Sequence, residues 1–556
     1  MGKLKLHIRA KEKYKIHLEI ALTSLTMSLL YHYHQLKDVL IDNKKVYLDY
    51  LLPTDDSNYY LKRITHYINS GLIGNPYFDS NEEYHHTYFL GEYLISRIMK
   101  FTKFDISITL TILNFFITVC IFILLGFLFY NKNRSVILSF AFISIIFFLQ
   151  YPNILVRPVS PVIHLFIFLS YLTFEITKKE SLINLMIKFA LLIFLSLLYP
   201  YFFLLGLVYF TINGITQLFS GKREYLKLIK ISLIVILVII FFYQQFQLKE
   251  MDSEFLLRLG QTRLRWPTGI PIILYLVLAI IILYQIRNKI MTRKQELAKT
   301  FSLNLSLIII LISPILTSRE LEFSGHYGLI GQIIFLLSIN FIISTWRNTQ
   351  YLNKYLRITL ALFCLVTILN SQHSRSSIQI SSTDSQDRKN TIAFVRNLSS
   401  ANSGLIVAEQ NNTEWLSIYT KNSFLWLREA NLYPLNKEEI LERYFLNEYL
   451  MGKKMEIQAS NNRSLFGVKY IDQCLRIKNR NIFFISMLEK FKLPCSVEET
   501  FYSKQLTAIA LVRKNHESLI RKYRVAILVL PNRNMNKIQN FNEVYRNQSY
   551  RILLHK

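Results

Sequence analysis

Long apolar runs repeat along the first 369 residues of the chain, separated by short polar stretches that are rich in lysine and arginine. Several runs reach roughly 17–22 residues, which is enough for an α-helix to cross about 30 Å of hydrocarbon. A water-soluble protein does not repeat runs of this length. The pattern therefore predicts a polytopic α-helical membrane protein.

The distribution of basic residues predicts the orientation of these runs. Six lysine and arginine residues precede the first predicted span, residues 16–33, and basic residues collect on cytoplasmic loops. We therefore expect a cytoplasmic N-terminus, eleven spans in all, and a C-terminal region outside the cytoplasm. The later spans are predicted at 106–130, 136–150, 162–176, two within 182–218, 229–246, 270–286, 301–316, 327–345 and 358–369.

The apolar segment 182–218 is longer than one transmembrane helix requires. One helix of that length would extend about 55 Å, which exceeds the hydrocarbon thickness. Tyr199-Pro200-Tyr201 lies at its middle, and basic residues flank both ends. These features predict two spans joined by a tight external turn.

Two regions do not fit the membrane pattern. Residues 34–104 form a polar external loop in which 59–68 and 88–99 have helical apolar spacing, so they predict helices along the membrane surface. A Ser- and Gln-rich linker at 370–389 follows the transmembrane domain, 1–369. Residues 390–556 then predict a C-terminal extramembrane α/β domain, with strands at 404–409, 466–471, 523–531 and 549–554 and a helix at 437–450.

The net charge of +28 is strongly basic, and 51% of the residues are hydrophobic. In a membrane protein this charge reflects cytoplasmic loops that meet anionic lipid, so we expect membrane lipid and no nucleic acid as a partner. The first span predicts an uncleaved signal anchor. No organelle address is recognised, which predicts the inner membrane of a bacterium. Cys474 and Cys495 are candidates for a disulfide if the C-terminal domain is external.

Asp55 and Asp56 are the first candidates for chemistry, since they open the polar loop after the first span. Adjacent carboxylates can serve as a general base for an acceptor hydroxyl or amine, or help bind a divalent ion beside a phosphate. The same residues also fit a solvated loop or a helix N-cap. A second cluster, Glu82, Glu83, His85 and His86, offers metal-ligand types, but its spacing matches no closed metal site and fits an interfacial face equally.

Arginines near the external span ends are candidates for binding phosphate or pyrophosphate, because a guanidinium matches the geometry of these anions. Interfacial anchoring and pairing with nearby carboxylates explain them equally. The candidate phosphate-binding residues are Arg63, Arg157, Arg258, Arg263, Arg265, Arg319 and His326. No Gly-rich phosphate loop and no nucleophile motif is present in the sequence, which argues against a cytoplasmic nucleotide site.

The acidic pair after the first span, the continuation Asn58-Tyr-Tyr-Leu-Lys-Arg-Ile64, the Arg157-Pro158 loop and the Tyr550-Arg-Ile-Leu553 tail resemble the GT-C superfamily of membrane glycosyltransferases. Relatives in that superfamily include oligosaccharyltransferase catalytic subunits, protein O-mannosyltransferases and lipid-A aminoarabinose transferases. The Trp-Trp-Asp motif of the oligosaccharyltransferases is absent from the sequence. Architecturally, the similarity extends over most of the chain.

The resemblance implies transfer of a sugar from a polyprenyl-phosphate donor to a glycan, lipid or protein acceptor at the outer face. It implies that Asp55 or Asp56 activates the acceptor and that external arginines hold the phosphate, in an inverting displacement. Two rivals remain: a transporter or flippase of a lipid-linked sugar, and a non-catalytic scaffold. A transporter is disfavoured by the large external regions and by an expected scarcity of ionisable groups deep in the spans.

Overall fold

A computed structural model gives an apolar helical bundle followed by a smaller unit that contains a β-sheet. It describes residues 2–37, 55–69, 89–133, 135–151, 154–156, 160–177, 181–218, 224–249, 269–287, 294–317, 327–345, 366, 382–401, 404–420, 422–427, 437–459, 462–466, 499–533, 538 and 540–556.

Most helices of the bundle follow the predicted apolar runs, and two lie in the polar loop 34–104, where helices were predicted at 59–68 and 88–99. They are α1 (Gly2–Leu36), α2 (Asp55–Asn69), α3 (Leu90–Thr102), α4 (Ile106–Asn133), α5 (Val136–Ser144), α6 (Ser160–Thr177), α7 (Leu182–Leu198), α8 (Pro200–Leu218), α9 (Glu224–Lys249), α10 (Gly269–Arg287), α11 (Lys294–Thr317) and α12 (Gly328–Thr345). A π-helical turn, Ile145–Gln150, continues α5 to the end of the predicted span.

The prediction of two helices within 182–218 is confirmed. Helix α7 ends at Leu198, Tyr199 is extended (φ −160°, ψ 107°), and α8 begins at Pro200. The cause is local, since the proline ring disfavours helical geometry at the preceding residue. The break brings the end of α7 and the start of α8 to one end of the bundle.

Within the described residues, one helix is long and apolar enough to cross a membrane by length and composition, at Ile106–Asn131. In the other apolar helices, the apolar stretch among the described residues is 10–17 residues long. A bundle of many apolar helices is thus confirmed. The predicted eleventh span, 358–369, lies outside the described residues except for Val366.

Helices α1 and α4 pack antiparallel and define the two ends of the bundle. Near the end of α1, His32 Nε2 lies 2.9 Å from Thr118 Oγ1, and near its middle Ile20 contacts the backbone at Gly126. The end where α1 finishes and α4 begins is called the junction end below. The other end, where α1 begins and α6 finishes, is called the opposite end.

The C-terminal unit contains a small mixed sheet in the order β1-β2-β4-β3, so the predicted C-terminal sheet is confirmed. Strands β1 and β2 are parallel, whereas β4 is antiparallel to both β2 and β3. The elements of this unit are α13 (Ser382–Ala401), β1 (Leu405–Ala408), α14 (Gln410–Tyr419), α15 (Lys437–Leu450), α16 (Arg463–Phe466), α17 (Glu499–Lys522), β2 (Val525–Pro531), β3 (Phe541–Arg546) and β4 (Tyr550–His555).

Three local features differ from the sequence-based expectation. Helix α13 begins inside the predicted linker, at Ser382, and Phe466 ends a short helix although 466–471 was predicted as a strand. Strand β3 was not predicted, because its exposed Asn542 and Glu543 hide the apolar alternation that marks a half-buried strand.

One hydrophobic core joins the C-terminal unit to the junction end. Leu61 and Ile64 of α2, Ile95 of α3 and Leu110 of α4 are buried in the same cluster as the sheet residues. The Thr65 hydroxyl also donates to the carbonyl of Ile418 at 2.9 Å. Helices α2 and α3 therefore connect the bundle to the sheet.

Candidate functional site

A buried ion pair lies between α2 and α3 at the junction end. The Arg63 and Glu92 side chains are 4% and 3% exposed, and Arg63 Nη1 lies 3.6 Å from Glu92 Oε1. Arg63 Nη2 also donates to the Tyr67 hydroxyl at 3.4 Å. An isolated charge is costly to bury, so Arg63 and Glu92 compensate each other in this position.

An imidazole and an aromatic ring lie close to this ion pair. His164, in the first turns of α6, stacks on Tyr199 with ring centroids 4.6 Å apart. Helix α6, which carries His164, packs against α3, which carries the ion-pair partner of Arg63. The extended backbone of Tyr199 before Pro200 directs its ring to this place. We call Arg63, Tyr67, Glu92, His164 and Tyr199 the junction site.

A row of tyrosines extends from the junction site across the same end of the bundle. The Tyr199 and Tyr201 rings have centroids 5.0 Å apart, and Tyr201 lies 5.9 Å from Tyr327 at the start of α12. Aromatic faces beside a guanidinium provide surfaces for sugar rings and a donor for phosphate oxygens. The row thus places aromatic rings at the same end of the bundle as the Arg63–Glu92 ion pair.

Asp55 and Asp56 are the first two residues of α2. This position agrees with the helix-start interpretation of the pair, since Asp is favoured where helix N–H groups lack partners. Asp56 precedes Arg63 by seven residues, which is close to two helical turns, so positions 56 and 63 share a face of α2. By the same register, position 55 shares a face with Lys62.

Lys62 contacts the C-terminal unit. Its ammonium lies 5.7 Å from the centroid of the Phe424 ring and donates to the carbonyl of Asn422 at 3.5 Å. Burial lowers the pKa of Lys62 from 10.5 to about 7. Adjacent basic residues of α2 thus face two different parts of the molecule.

Among the predicted site residues, Arg63 is the one whose side chain the structure describes. It lies beside four residues that were not predicted as site residues. Glu92, Tyr67, His164 and Tyr199 carried no motif, and their association depends on helix packing. Within the described part of the chain no group of three or more metal-ligand side chains is found. The predicted residues outside the described ranges are Glu82, Glu83, His85, His86, Arg157, Arg258, Arg263, Arg265, Arg319, His326, Cys474 and Cys495.

A second buried cluster, at the opposite end, was also missed. Glu175 forms an ion pair with Lys188 and accepts a hydrogen bond from the Asn213 amide. Lys299 Nζ donates to the backbone carbonyl of Glu175 at 2.6 Å. Single charges in separate apolar helices look isolated in the sequence, but packing brings them together near one end of the bundle.

Comparisons with known proteins do not assign the chain to a family: no protein-family model matches it, and no curated protein sequence matches it.

Proposed function

We propose that the chain is an integral membrane glycosyltransferase that moves a sugar from a polyprenyl-phosphate donor to an acceptor at the outer face. The observation that carries the proposal is the junction site. It joins a buried guanidinium, a carboxylate and an imidazole stacked on a tyrosine, and the guanidinium belongs to a helix that begins with two aspartates. This set supplies a phosphate ligand, a sugar platform and a candidate base.

Membrane location is supported by the outer faces of the bundle. Helix α1 exposes Leu18 (47%), Leu22 (55%) and Leu29 (45%), and α10 exposes Ile273 (62%) and Ile280 (65%). At the same time the bundle buries Glu175 and several lysines. Exposed apolar faces with charged groups inside are typical of helices packed in lipid.

Asp56 is the better candidate for the base. The register of α2 places position 56 on the face of Arg63, which meets Glu92 and the bundle, and position 55 on the face of Lys62, which meets the C-terminal unit. A base must lie within hydrogen-bond reach of the acceptor proton while the donor phosphate is held nearby. An acceptor that binds between α2 and the bundle meets both requirements at Asp56.

The test is sugar transfer by the purified protein, with radiolabelled polyprenyl-phosphate sugars and a membrane extract as acceptor. We expect Asp56→Asn to lower transfer by about 10²-fold or more, the usual contribution of a general base, and Asp55→Asn to lower it much less. Arg63→Gln should weaken donor binding, seen as a raised KM.

Asp105→Asn is the matched control, because Asp105 also lies at the junction end, where it accepts from the Ser107 backbone at 2.9 Å before α4, and Asn caps a helix equally well. This variant should keep wild-type transfer. Folded wild-type protein that transfers no sugar from any donor, or transfer that survives both aspartate substitutions, contradicts the proposal.

Transport of a lipid-linked sugar is a second candidate because of one observation, the buried cluster around Glu175. Charged groups inside membrane bundles often mark a transport path. This candidate predicts that Glu175→Gln abolishes flipping of a fluorescent polyprenyl-phosphate sugar in vesicles, whereas the glycosyltransferase proposal predicts no flipping by the wild type.

A further inference from the structure

Helix α3 has apolar side chains on two sides, and one of these sides is exposed. Ile95 belongs to the core that joins α2, α3 and the sheet, and Met99 packs against that core. On the other side, Leu94, Ile98 and Phe101 are 42%, 37% and 90% exposed. Their spacing of four and then three positions places them in one row along the helix. We call this row the outer face of α3.

Helix α2 does not share this exposure, although both helices of the polar loop were predicted to lie along the membrane surface. Residues 60–68 of α2 include no exposed side chain. Leu61 and Ile64 are buried in the core that α2 shares with the C-terminal unit. Of these two helices, α3 is therefore the one with an exposed apolar face.

Basic side chains lie on the exposed side of α3 and at its end. Arg97, Lys100 and Lys103 are exposed, and among the described residues none of them pairs with a carboxylate. The one acidic residue of α3, Glu92, is buried on the opposite side of the helix, where it pairs with Arg63. The exposed side thus combines apolar and positively charged groups, which is typical of helices that lie in an anionic membrane interface.

The connection to α4 places the end of α3 beside the start of an apolar helix. Helix α3 ends at Thr102, Lys103 adopts a left-handed conformation (φ 58°), and Asp105 accepts from the Ser107 backbone in the first turn of α4. Helix α4 is the described helix that is long and apolar enough to cross a membrane. The three connecting residues extend at most about 14 Å between the helices, so α3 ends close to the level at which α4 enters hydrocarbon.

Lipid is the occupant that fits the outer face. Exposed apolar residues continue along the chain at Phe104, in the connection, and at Phe116 of α4. A membrane that covers the exposed side of α4 therefore reaches its boundary where α3 lies. A protein partner needs an apolar strip with acidic borders to match this one helix, whereas an anionic membrane interface offers both properties throughout.

We propose that the outer face of α3 lies in the membrane interface at the junction end and binds anionic lipid there. The apolar side chains of this face enter the boundary of the hydrocarbon, and Arg97, Lys100 and Lys103 contact lipid phosphates. The inference rests on the proposed membrane location, but not on glycosyl transfer. Helix α3 then has lipid on one side and the Arg63–Glu92 ion pair on the other.

The experiment measures the surroundings of α3 by fluorescence quenching in lipid nanodiscs. Full-length protein with its four cysteines replaced by serine carries Phe101→Cys, labelled with a small fluorophore. Lipid with a spin label on its acyl chain should quench this fluorophore, and aqueous iodide should not. Lys454→Cys, at a position 83% exposed in the C-terminal unit, is the aqueous control, and Ile280→Cys of α10, at a position 65% exposed, is the lipid control. Leu94→Cys gives a second position on the outer face.

The contribution of the basic residues is measured with the same label. Quenching by spin-labelled phosphatidylglycerol should exceed quenching by equally labelled phosphatidylcholine by about twofold or more, because basic residues near the surface attract anionic lipid. The combined substitution Arg97→Gln, Lys100→Gln and Lys103→Gln should remove this difference. The exposed substitutions Arg513→Gln and Lys514→Gln of α17 are the control and should retain it.

Three outcomes overturn the proposal. Iodide that quenches the Phe101 label as strongly as the Lys454 label would place α3 in water. A Phe101 label that neither quencher reaches would indicate that protein, such as a second copy of the chain, covers the outer face. Equal quenching by the two labelled lipids would refute the binding of anionic lipid.

The Ile280 control separates this proposal from the membrane location on which it rests. If spin-labelled lipid quenches the Ile280 label but not the Phe101 label, the membrane location stands and the inference about α3 fails. If it quenches neither label, both fail. Sugar transfer is measured separately, so the glycosyltransferase proposal and the inference about α3 can fail independently.

Discussion

Lys62 and Arg63 are sequence neighbours that meet opposite surroundings. Arg63 is compensated by Glu92, whereas Lys62 contacts a ring and a carbonyl in the C-terminal unit. Arginine keeps its charge when buried, but a lysine shifts its pKa. The two residues look equivalent in the sequence, and their different roles arise from one step of helix register, which turns the side chain by about 100°.

Lys62 predicts a pH dependence of stability. Its pKa is about 7 in the folded protein and 10.5 in the unfolded chain, so between these values the unfolded chain binds more protons. The free energy of unfolding should therefore rise as the pH increases from about 7 towards 10, and the full cost of burying the charge should apply below 7. Denaturation followed by tryptophan fluorescence across this range measures the effect.

Substitution isolates the contribution of this side chain. Lys62→Met keeps most of the volume without the charge, so we expect a higher free energy of unfolding than the wild type at pH 7 and a flatter pH profile. Lys514→Met, at an exposed position of α17, is the control and should follow the wild type. Parallel profiles for Lys62→Met and wild type would contradict the prediction.

At the scale of elements, tight contacts between neighbouring segments fix the C-terminal sheet. Gly404 immediately precedes β1, where an added Cβ would lie 2.4 Å from the Ala526 Cβ and 2.5 Å from the Arg524 carbonyl oxygen. The carbonyl belongs to the backbone that enters β2, and Leu405 donates to it at 2.8 Å. Only glycine allows β1 and β2 to approach this closely.

Gly404→Ala should therefore destabilise the C-terminal sheet by about 1–3 kcal/mol, the usual cost of overpacking a site that cannot relax. Chemical denaturation followed by tryptophan fluorescence measures the change, since Trp415 and Trp426 lie in this unit. Gly328→Ala is the comparison, because its new Cβ meets one side-chain atom, the Tyr151 hydroxyl at 3.0 Å. Equal stability of Gly404→Ala and wild type would refute the argument.

At the scale of the whole molecule, the bundle has a polar cluster at each end. The junction site lies beside the C-terminal unit, and the buried cluster around Glu175 lies at the end where α1 begins and α6 finishes. If the bundle spans a membrane, the C-terminal unit and the start of α1 face opposite compartments. This agrees with the orientation that the basic loops predict.

Cysteine labelling tests this arrangement in intact cells. In a variant with Cys120, Cys364, Cys474 and Cys495 replaced by serine, Lys454→Cys (83% exposed in the wild type) should react with an impermeant maleimide. Lys15→Cys, exposed on α1, should react only after the cells are permeabilised. Labelling of both positions from the same side would contradict the prediction that the C-terminal unit and the start of α1 face opposite compartments.

The sequence by itself determined the features that depend on local pattern. Apolar runs predicted the helical bundle, Tyr199-Pro200 predicted the break between α7 and α8, and short runs of apolar residues predicted β1, β2 and β4. These follow from periodicity and backbone sterics within a few residues.

Only the tertiary structure decided which polar groups meet. Arg63 and His164 lie in separate helices, and Glu175 is joined to Lys299 across 124 positions of the chain. No local period encodes such pairs, since they depend on which helices pack together and on the face that each presents. The acidic pair Asp55-Asp56, predicted as a candidate site, begins helix α2. Helix packing determined which groups the faces of α2 contact.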